Sequence, residues 1–305
     1  MNDSEAIQHL EKSGNYRIIN RLETPHQYLA GKPATSRIGL VIDTETTGLD
    51  TTNDKIIELG FVAFEYDAST GGIYRILHTY DGFEDPGEPL EEIVKQITGI
   101  TDEMLKGKRL DDEEIIAWFN KASLVIAHNA AFDRQMIERR LPSLSESNWS
   151  CTLNDIKWQD ENISSRKLDY IAYVLGFFFD GHRAVNDAQA TLHILTKTLP
   201  ESGKLAMSEL LHRAREKSRR FFAQHAAFEK KDELKAHGYR WMPDYSYTDR
   251  FGKEKKGVWS GMVSEAEIEA EQSWLVETIY NGKEEIYTYR DITAKDRYSS
   301  REIEK

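Results

Sequence analysis

Two carboxylates stand two residues apart in the stretch Asp43-Thr44-Glu45-Thr46-Thr47-Gly48. They follow the apolar run Ile38, Leu40, Val41 and Ile42. A short run of that kind, rich in β-branched residues and ending near a glycine, reads as a buried strand. Side chains two apart in a strand share a face, so Asp43 and Glu45 would sit side by side at its end. Close anionic oxygens repel unless a cation lies between them. Hard oxygen ligands suit Mg²⁺ or Mn²⁺. Taken alone, the pair is equally well explained as two exposed acids in a turn.

Two later stretches add to it. His128-Asn129-Ala130-Ala131-Phe132-Asp133 follows Leu124–Ala127, an apolar run read as a central strand. Asn129 has the residue type of an N-cap, and the helix it opens runs through Met136, Ile137 and Arg140 until Pro142 closes it. Asp133 then falls in the first turn, where the helix dipole favours a negative charge by a few tenths to about 1 kcal/mol. That alone accounts for Asp133 without chemistry. Gly181-His182-Arg183-Ala184-Val185-Asn186-Asp187 leads into a helix through Ala188, Leu192 and Leu195. Asp187 lies on that helix and His182 in the loop feeding it. A lone histidine beside a glycine is commonly a surface or capping residue.

As a set, these residues match phosphodiester hydrolysis. Two divalent ions about 3.5–4 Å apart clamp the attacking and leaving oxygens, and about four carboxylates from separate elements hold them. Asp43, Glu45, Asp133 and Asp187 supply four. His182 has the pKa range of a general base for water.

D-T-E-T-T-G, H-N-A-A-F-D and H-R-A-V-N-D-A, in that order, resemble the three motifs of the DEDDh branch of the DnaQ-like 3′→5′ exonucleases. That group includes the proofreading ε subunit of bacterial polymerase III and RNase T. The resemblance covers roughly residues 37–200, and all five family-defining positions are matched. It implies an RNase H-like α/β fold, a mixed sheet flanked by helices. It further implies that Asp43 bridges two Mg²⁺ or Mn²⁺ ions. Glu45 and Asp187 would complete one site, Asp133 would work with Asp43 at the other, and His182 would be the base. Thr46, Gly48 and Leu49 resemble contacts to the terminal nucleotide, with Leu49 wedged against the last base. Asn129 and Phe132 resemble substrate-side and packing positions, and Phe132 is as well explained as core. Thr98-Gly99-Ile100 matches a weaker segment that usually begins with histidine. The implied activity is removal of nucleotides from the 3′ end of DNA, single-stranded ends above all. The rivals are an RNA-trimming enzyme and a polymerase-associated proofreading or scaffold subunit.

The elements that must carry these residues are legible in outline. Ile56–Phe64 and Ile73–Leu77, joined at Gly71-Gly72, continue the first strand into an antiparallel meander. Helical stretches are expected at Leu90–Gln96, from Thr101, at Asp111–Lys121 and at Leu168–Leu175. The expected organisation is an N-terminal segment (1–36), the exonuclease domain (37–200), a basic linker or helix (201–220) and a small α+β C-terminal domain with a charged tail (221–305). In the last unit the expected order is α-β-β-α-β, with Ser264 and Glu267 forming a capping box. Its tyrosines and tryptophans beside Lys253, Lys255 and Lys256 suit single-stranded nucleic acid. Trp241, Trp259 and Trp274 read rather as the core of a small domain. Homo-oligomerisation through this unit is a further expectation.

Composition bounds the rest. The 305 residues are 39% hydrophobic, which permits a packed core beside a smaller unit. A formal charge of −12 argues against a nucleic-acid coat protein. One cysteine, Cys151, rules out an internal disulfide and a cysteine-based zinc cluster. The polar, acidic start Met1–Glu5 lacks a signal-peptide pattern, and no run is long and apolar enough for a membrane span. A cytoplasmic protein is the expectation.

Overall fold

A computed structural model describes residues 3–249, 251–283 and 286–302. The chain divides into two compact units, residues 1–214 and 215–305.

The first unit is built on strands β1 (Ser36–Thr46), β2 (Ile56–Asp67), β3 (Ile73–Phe83), β4 (Leu124–Ala127) and β5 (Trp149–Cys151). They form one sheet in the order β3-β2-β1-β4-β5. β1, β2 and β3 are the expected antiparallel meander, while β4 and β5 run parallel to β1. The flanking helices are α1 (Glu92–Thr98), α2 (Asp112–Lys121), α3 (Ala130–Arg140), α4 (Leu168–Val174), α5 (Ala184–Leu195) and α6 (Ala206–Arg215). This is the mixed sheet flanked by helices that the resemblance implies.

β1 is central, and Leu40, Val41 and Ile42 are fully buried, as a strand covered on both faces must be. The core on one face joins Val41, Val62 and Ile126 to Ile171, Leu192 and Leu195. Gly60 permits the closest helix approach. A Cβ there would meet the backbone nitrogen of Val185 at 2.2 Å. The start of α5 therefore lies directly on β2, and only glycine fits beneath it.

Of the linker or helix expected over residues 201–220, the structure forms the helix, α6. Ala206, Met207, Leu210 and Leu211 of α6 are buried in the first unit's core. Basic side chains on one face of α6 mask that apolar stripe when the stretch is read for charge alone.

The second unit adds a strand that the expectation lacked, β6 (Ser218–Ala223). It is followed by α7 (Lys231–Ala236), β7 (Arg240–Thr248), β8 (Glu254–Ser264), α8 (Ile268–Trp274) and β9 (Thr288–Ile292). The order is β-α-β-β-α-β, with strands arranged β9-β6-β8-β7 and paired antiparallel. That is the split β-α-β arrangement of ferredoxin-like domains. β6 hides in sequence because Arg219 and Arg220 break its apolar pattern, yet Phe221 and Phe222 pack on opposite faces of the sheet. Glu267 accepts from the Ser264 backbone N–H at 3.1 Å, as the capping box requires. Trp259 and Trp274 pack against this unit's core, but Trp241 is 50% exposed. The expected charged tail is packed as far as it is described, with Arg297 and Ser299 buried and Arg220 paired to Glu302.

Candidate active site

Asp43 and Glu45 lie on one face at the end of β1, and their strand neighbours on β2 are Gly60 and Glu58. Because α5 rests on Gly60, its first turn delivers Asp187 to the same place. Carboxylate oxygens of Asp43, Glu45 and Asp187 lie within 4.8 Å of one another. Among the described residues this is the one cluster of its kind.

Asp133 stands beside that trio and is not within its 4.8 Å. It is buried on the first turn of α3, and its Oδ1 accepts a 2.8 Å hydrogen bond from the Thr44 hydroxyl. Thr44 lies between Asp43 and Glu45 on β1, so this bond ties Asp133 to the strand end that carries both. Asp133 still feels the cluster, since its charge helps raise the pKa values of Asp43 and Glu45.

The electrostatics follow from crowding in a dry site. Burial, then the charges of Asp133, Asp187, Glu45 and Glu58, hold the Asp43 carboxyl well above the usual range. Burial and then Asp187 raise Glu45 to about 8. Burial raises Asp133 to about 7 against the opposing Thr44 hydrogen bond. Burial raises Asp187 to about 6, partly offset by the Arg183 backbone N–H and by the nearby His182. Hard oxygen donors that so disfavour one another's charge fit a divalent cation, which relieves the repulsion.

His182 is exposed, in a left-handed backbone conformation with φ 63°. Non-glycine residues seldom adopt that region, and such strain clusters at functional turns. Asn129 occupies the N-cap position but also has a positive φ, 85°, and makes no side-chain cap. The expected capping role is therefore corrected. The left-handed turn carries the exposed side chain away from the helix amides.

Leu49 is 89% exposed. Thr46 is buried and its hydroxyl donates to the Gly48 carbonyl. Gly48 leaves room for Asp54, whose Oδ2 would lie 2.5 Å from a Cβ there. Phe132 is half-buried. Thr98 is buried and bonded locally to Val94 and Ile100.

Sequence reasoning missed Thr44, Glu58, Asp81 and Arg183. Glu58 is the one with a signal: a lone acid inside the apolar strand Ile56-Ile57-Glu58-Leu59, where burial is expected and a charge demands a partner.

The exonuclease family model RNase_T matches residues 40–195, which contain every residue of the cluster. The DNA polymerase III PolC-type of Caldanaerobacter subterraneus subsp. tengcongensis is 33% identical over 184 residues, 56% of this chain and 12% of that protein. The PolC-type enzyme of Thermotoga maritima is 30% identical over 177 residues, again 56% of this chain and 12% of that protein. The chain thus spans about one-eighth of the length of these relatives. Among solved structures, exonuclease X with 5′-overhanging duplex DNA aligns over 56% of this chain and 99% of its own at a TM-score of 0.41 and 22% identity. E. coli exonuclease I with a dA16 oligonucleotide aligns over 74% of this chain and 63% of its own at a TM-score of 0.47 and 14% identity.

Proposed function

Because the chain belongs to the exonuclease family, we propose that it is a divalent-metal-dependent 3′→5′ exonuclease acting on DNA. The observation that carries this reading is the convergence of Asp43, Glu45 and Asp187 at the end of a central strand. Asp43, Glu45 and Asp187 would hold cation, Mg²⁺ or Mn²⁺, with Asp133 contributing from α3. When bound, such ions supply Lewis-acid stabilisation to the attacking and leaving oxygens of a phosphodiester.

The chain's own residues do the rest. His182, exposed beside Asp187, accepts the proton of the attacking water on its imidazole. Leu49, almost fully exposed at the mouth of the β1–β2 turn, offers an apolar edge against the last base. Thr46 and Gly48 shape that turn, and Asn129 and Phe132 face the substrate from the start of α3. The DNA assignment is supported by the curated relatives, which are DNA polymerases. Their names also favour a second reading, in which the chain serves a polymerase as a proofreading subunit.

End-labelled single- and double-stranded DNA and RNA, incubated with Mg²⁺, Mn²⁺ or EDTA, separate these readings. Metal-dependent shortening of DNA in preference to RNA is expected. Preference for RNA would give the trimming alternative, and negligible turnover by the isolated chain would favour the polymerase-associated one.

A further inference from the structure

Glu58 lies opposite Glu45 across the sheet, and none of its surface reaches solvent. Such a carboxylate must be paired or neutralised, because an isolated buried charge is very costly. Its partners come from one short segment. Oε1 accepts from Arg183 Nε at 2.9 Å and lies 2.7 Å from Nη2. Oε2 accepts from the Ala184 backbone N–H at 3.0 Å, at the first residue of α5. The same guanidinium lies 3.8 Å from Asp81 and over the Phe83 ring, 5.4 Å from its centroid.

Arg183 joins His182 to the helix that carries Asp187. Its backbone N–H donates to Asp187 Oδ2 at 3.2 Å. One residue is therefore held from below by Glu58 through its side chain and holds Asp187 through its main chain. A buried ion pair adds little net stability. Glu58 also works against its neighbours, as one of the charges that raise Asp43 and Glu45. What a fork onto a guanidinium plus a backbone amide supplies is orientation.

We propose that Glu58 is a positioning residue that, through Arg183 and the Ala184 amide, fixes the His182–Asp187 turn against the metal-binding carboxylates. Its link to catalysis rests on the exonuclease reading. Its structural content does not.

The test uses the full-length chain carrying Glu58→Gln or, separately, Arg183→Lys, which keeps the charge and loses the fork. Outer-shell partners of metal ligands are worth about 10–100-fold in metal affinity or activity. The expected result is a drop of that size in kcat on a 3′-ended oligonucleotide, with KM changed less than about threefold. Mn²⁺ titration followed by electron paramagnetic resonance should show affinity weakened on the order of tenfold. Amide hydrogen exchange should accelerate at residues 183–187 and not across the sheet. Variants whose Mn²⁺ affinity and exchange at 183–187 match the parent overturn the proposal, as does acceleration spread evenly over the sheet. Should the parent cleave nothing, the stand-alone exonuclease reading falls, while the titration and exchange still decide the role of Glu58. Should Glu58→Gln fail to fold, Arg183→Lys carries the same two readouts.

Discussion

Glu45 and Glu58 are direct cross-strand partners, one on β1 and one on β2, with Glu58 fully buried. Like charges placed directly opposite in a sheet destabilise it. Without a cation, the site is a local weak point of the fold.

The pH dependence of stability follows. Glu45, Asp133 and Asp187 titrate at about 8, 7 and 6 in the folded chain, against ordinary values near 4 in the unfolded chain. The folded state therefore binds more protons across that window. The stability contributed by these groups is complete below about pH 4 and is lost as pH rises through 6 to 8. In EDTA, Tm should fall between pH 5 and pH 8.5. Mn²⁺ should restore more Tm at the higher pH, where it binds carboxylates already deprotonated. A flat Tm profile in EDTA would contradict the crowding.

Neutralising one member of the cluster should stabilise the metal-free protein. Glu45→Gln at pH 8 removes a repelling charge without changing shape. A gain on the order of 1–3 kcal/mol in EDTA is expected, each pKa unit being about 1.4 kcal/mol. The same variant should respond less to Mn²⁺. Differential scanning calorimetry with and without the ion reads both.

Gly60→Ala tests how Asp187 is delivered. The added methyl group would lie 2.2 Å from the Val185 nitrogen and 2.4 Å from the Ala184 carbonyl carbon. Backbone cannot give way as a flexible side chain can, so α5 must lift from β2. A loss of about 1–3 kcal/mol is expected from overpacking. Cleavage should fall with it, although residue 60 lies beneath the helix rather than at the cluster. Chemical denaturation and single-turnover cleavage measure the two effects.

Thr44→Val removes the hydroxyl that Asp133 accepts, at nearly constant volume. Loss of one partner from a buried pair costs about 1–3 kcal/mol. The Asp133 carboxyl should titrate higher still, since that bond now holds it down. Denaturation at pH 8 and the Mn²⁺ affinity of the variant check this.

The boundary between the units gives a cleaner test than its sequence suggests. A chain ending at residue 204 lacks α6, and with it the buried Met207, Leu210 and Leu211. Each large apolar side chain contributes roughly 1.5–3 kcal/mol by burial, so that chain should be insoluble or unfolded. A chain ending at residue 216 keeps α6 and should melt cooperatively. If the second unit also holds substrate, the 216 chain should show a raised KM and a shallower salt dependence.

Where the sequence was legible, local pattern and final environment agree. β1 reads as a strand because its apolar run is covered on both faces, and Asp43 and Glu45 share a face because strand geometry requires it. Asp187 is placed by helix spacing once its helix is recognised. What stayed hidden depends on contacts distant along the chain. Glu58 needs Arg183, which is 125 residues away. Thr44 needs Asp133, 89 residues away. β6 became visible only through its pairing with β8 and β9, because two arginines disguise it. Asn129 looked like a cap by residue type, but its left-handed backbone was not written in the sequence.

The central claim is that Asp43, Glu45 and Asp187 together hold the metal that supports cleavage from a 3′ end. Its most direct measurement follows a 5′-labelled DNA oligonucleotide, free or 3′-phosphorothioate-blocked, with the parent chain and with Asp43→Asn and Asp187→Asn in Mn²⁺. The account predicts a ladder shortening from the free 3′ end with the parent alone, abolished by the block, by EDTA and by either substitution in a folded protein. Undiminished shortening by either folded variant, or shortening that persists in EDTA, would contradict it.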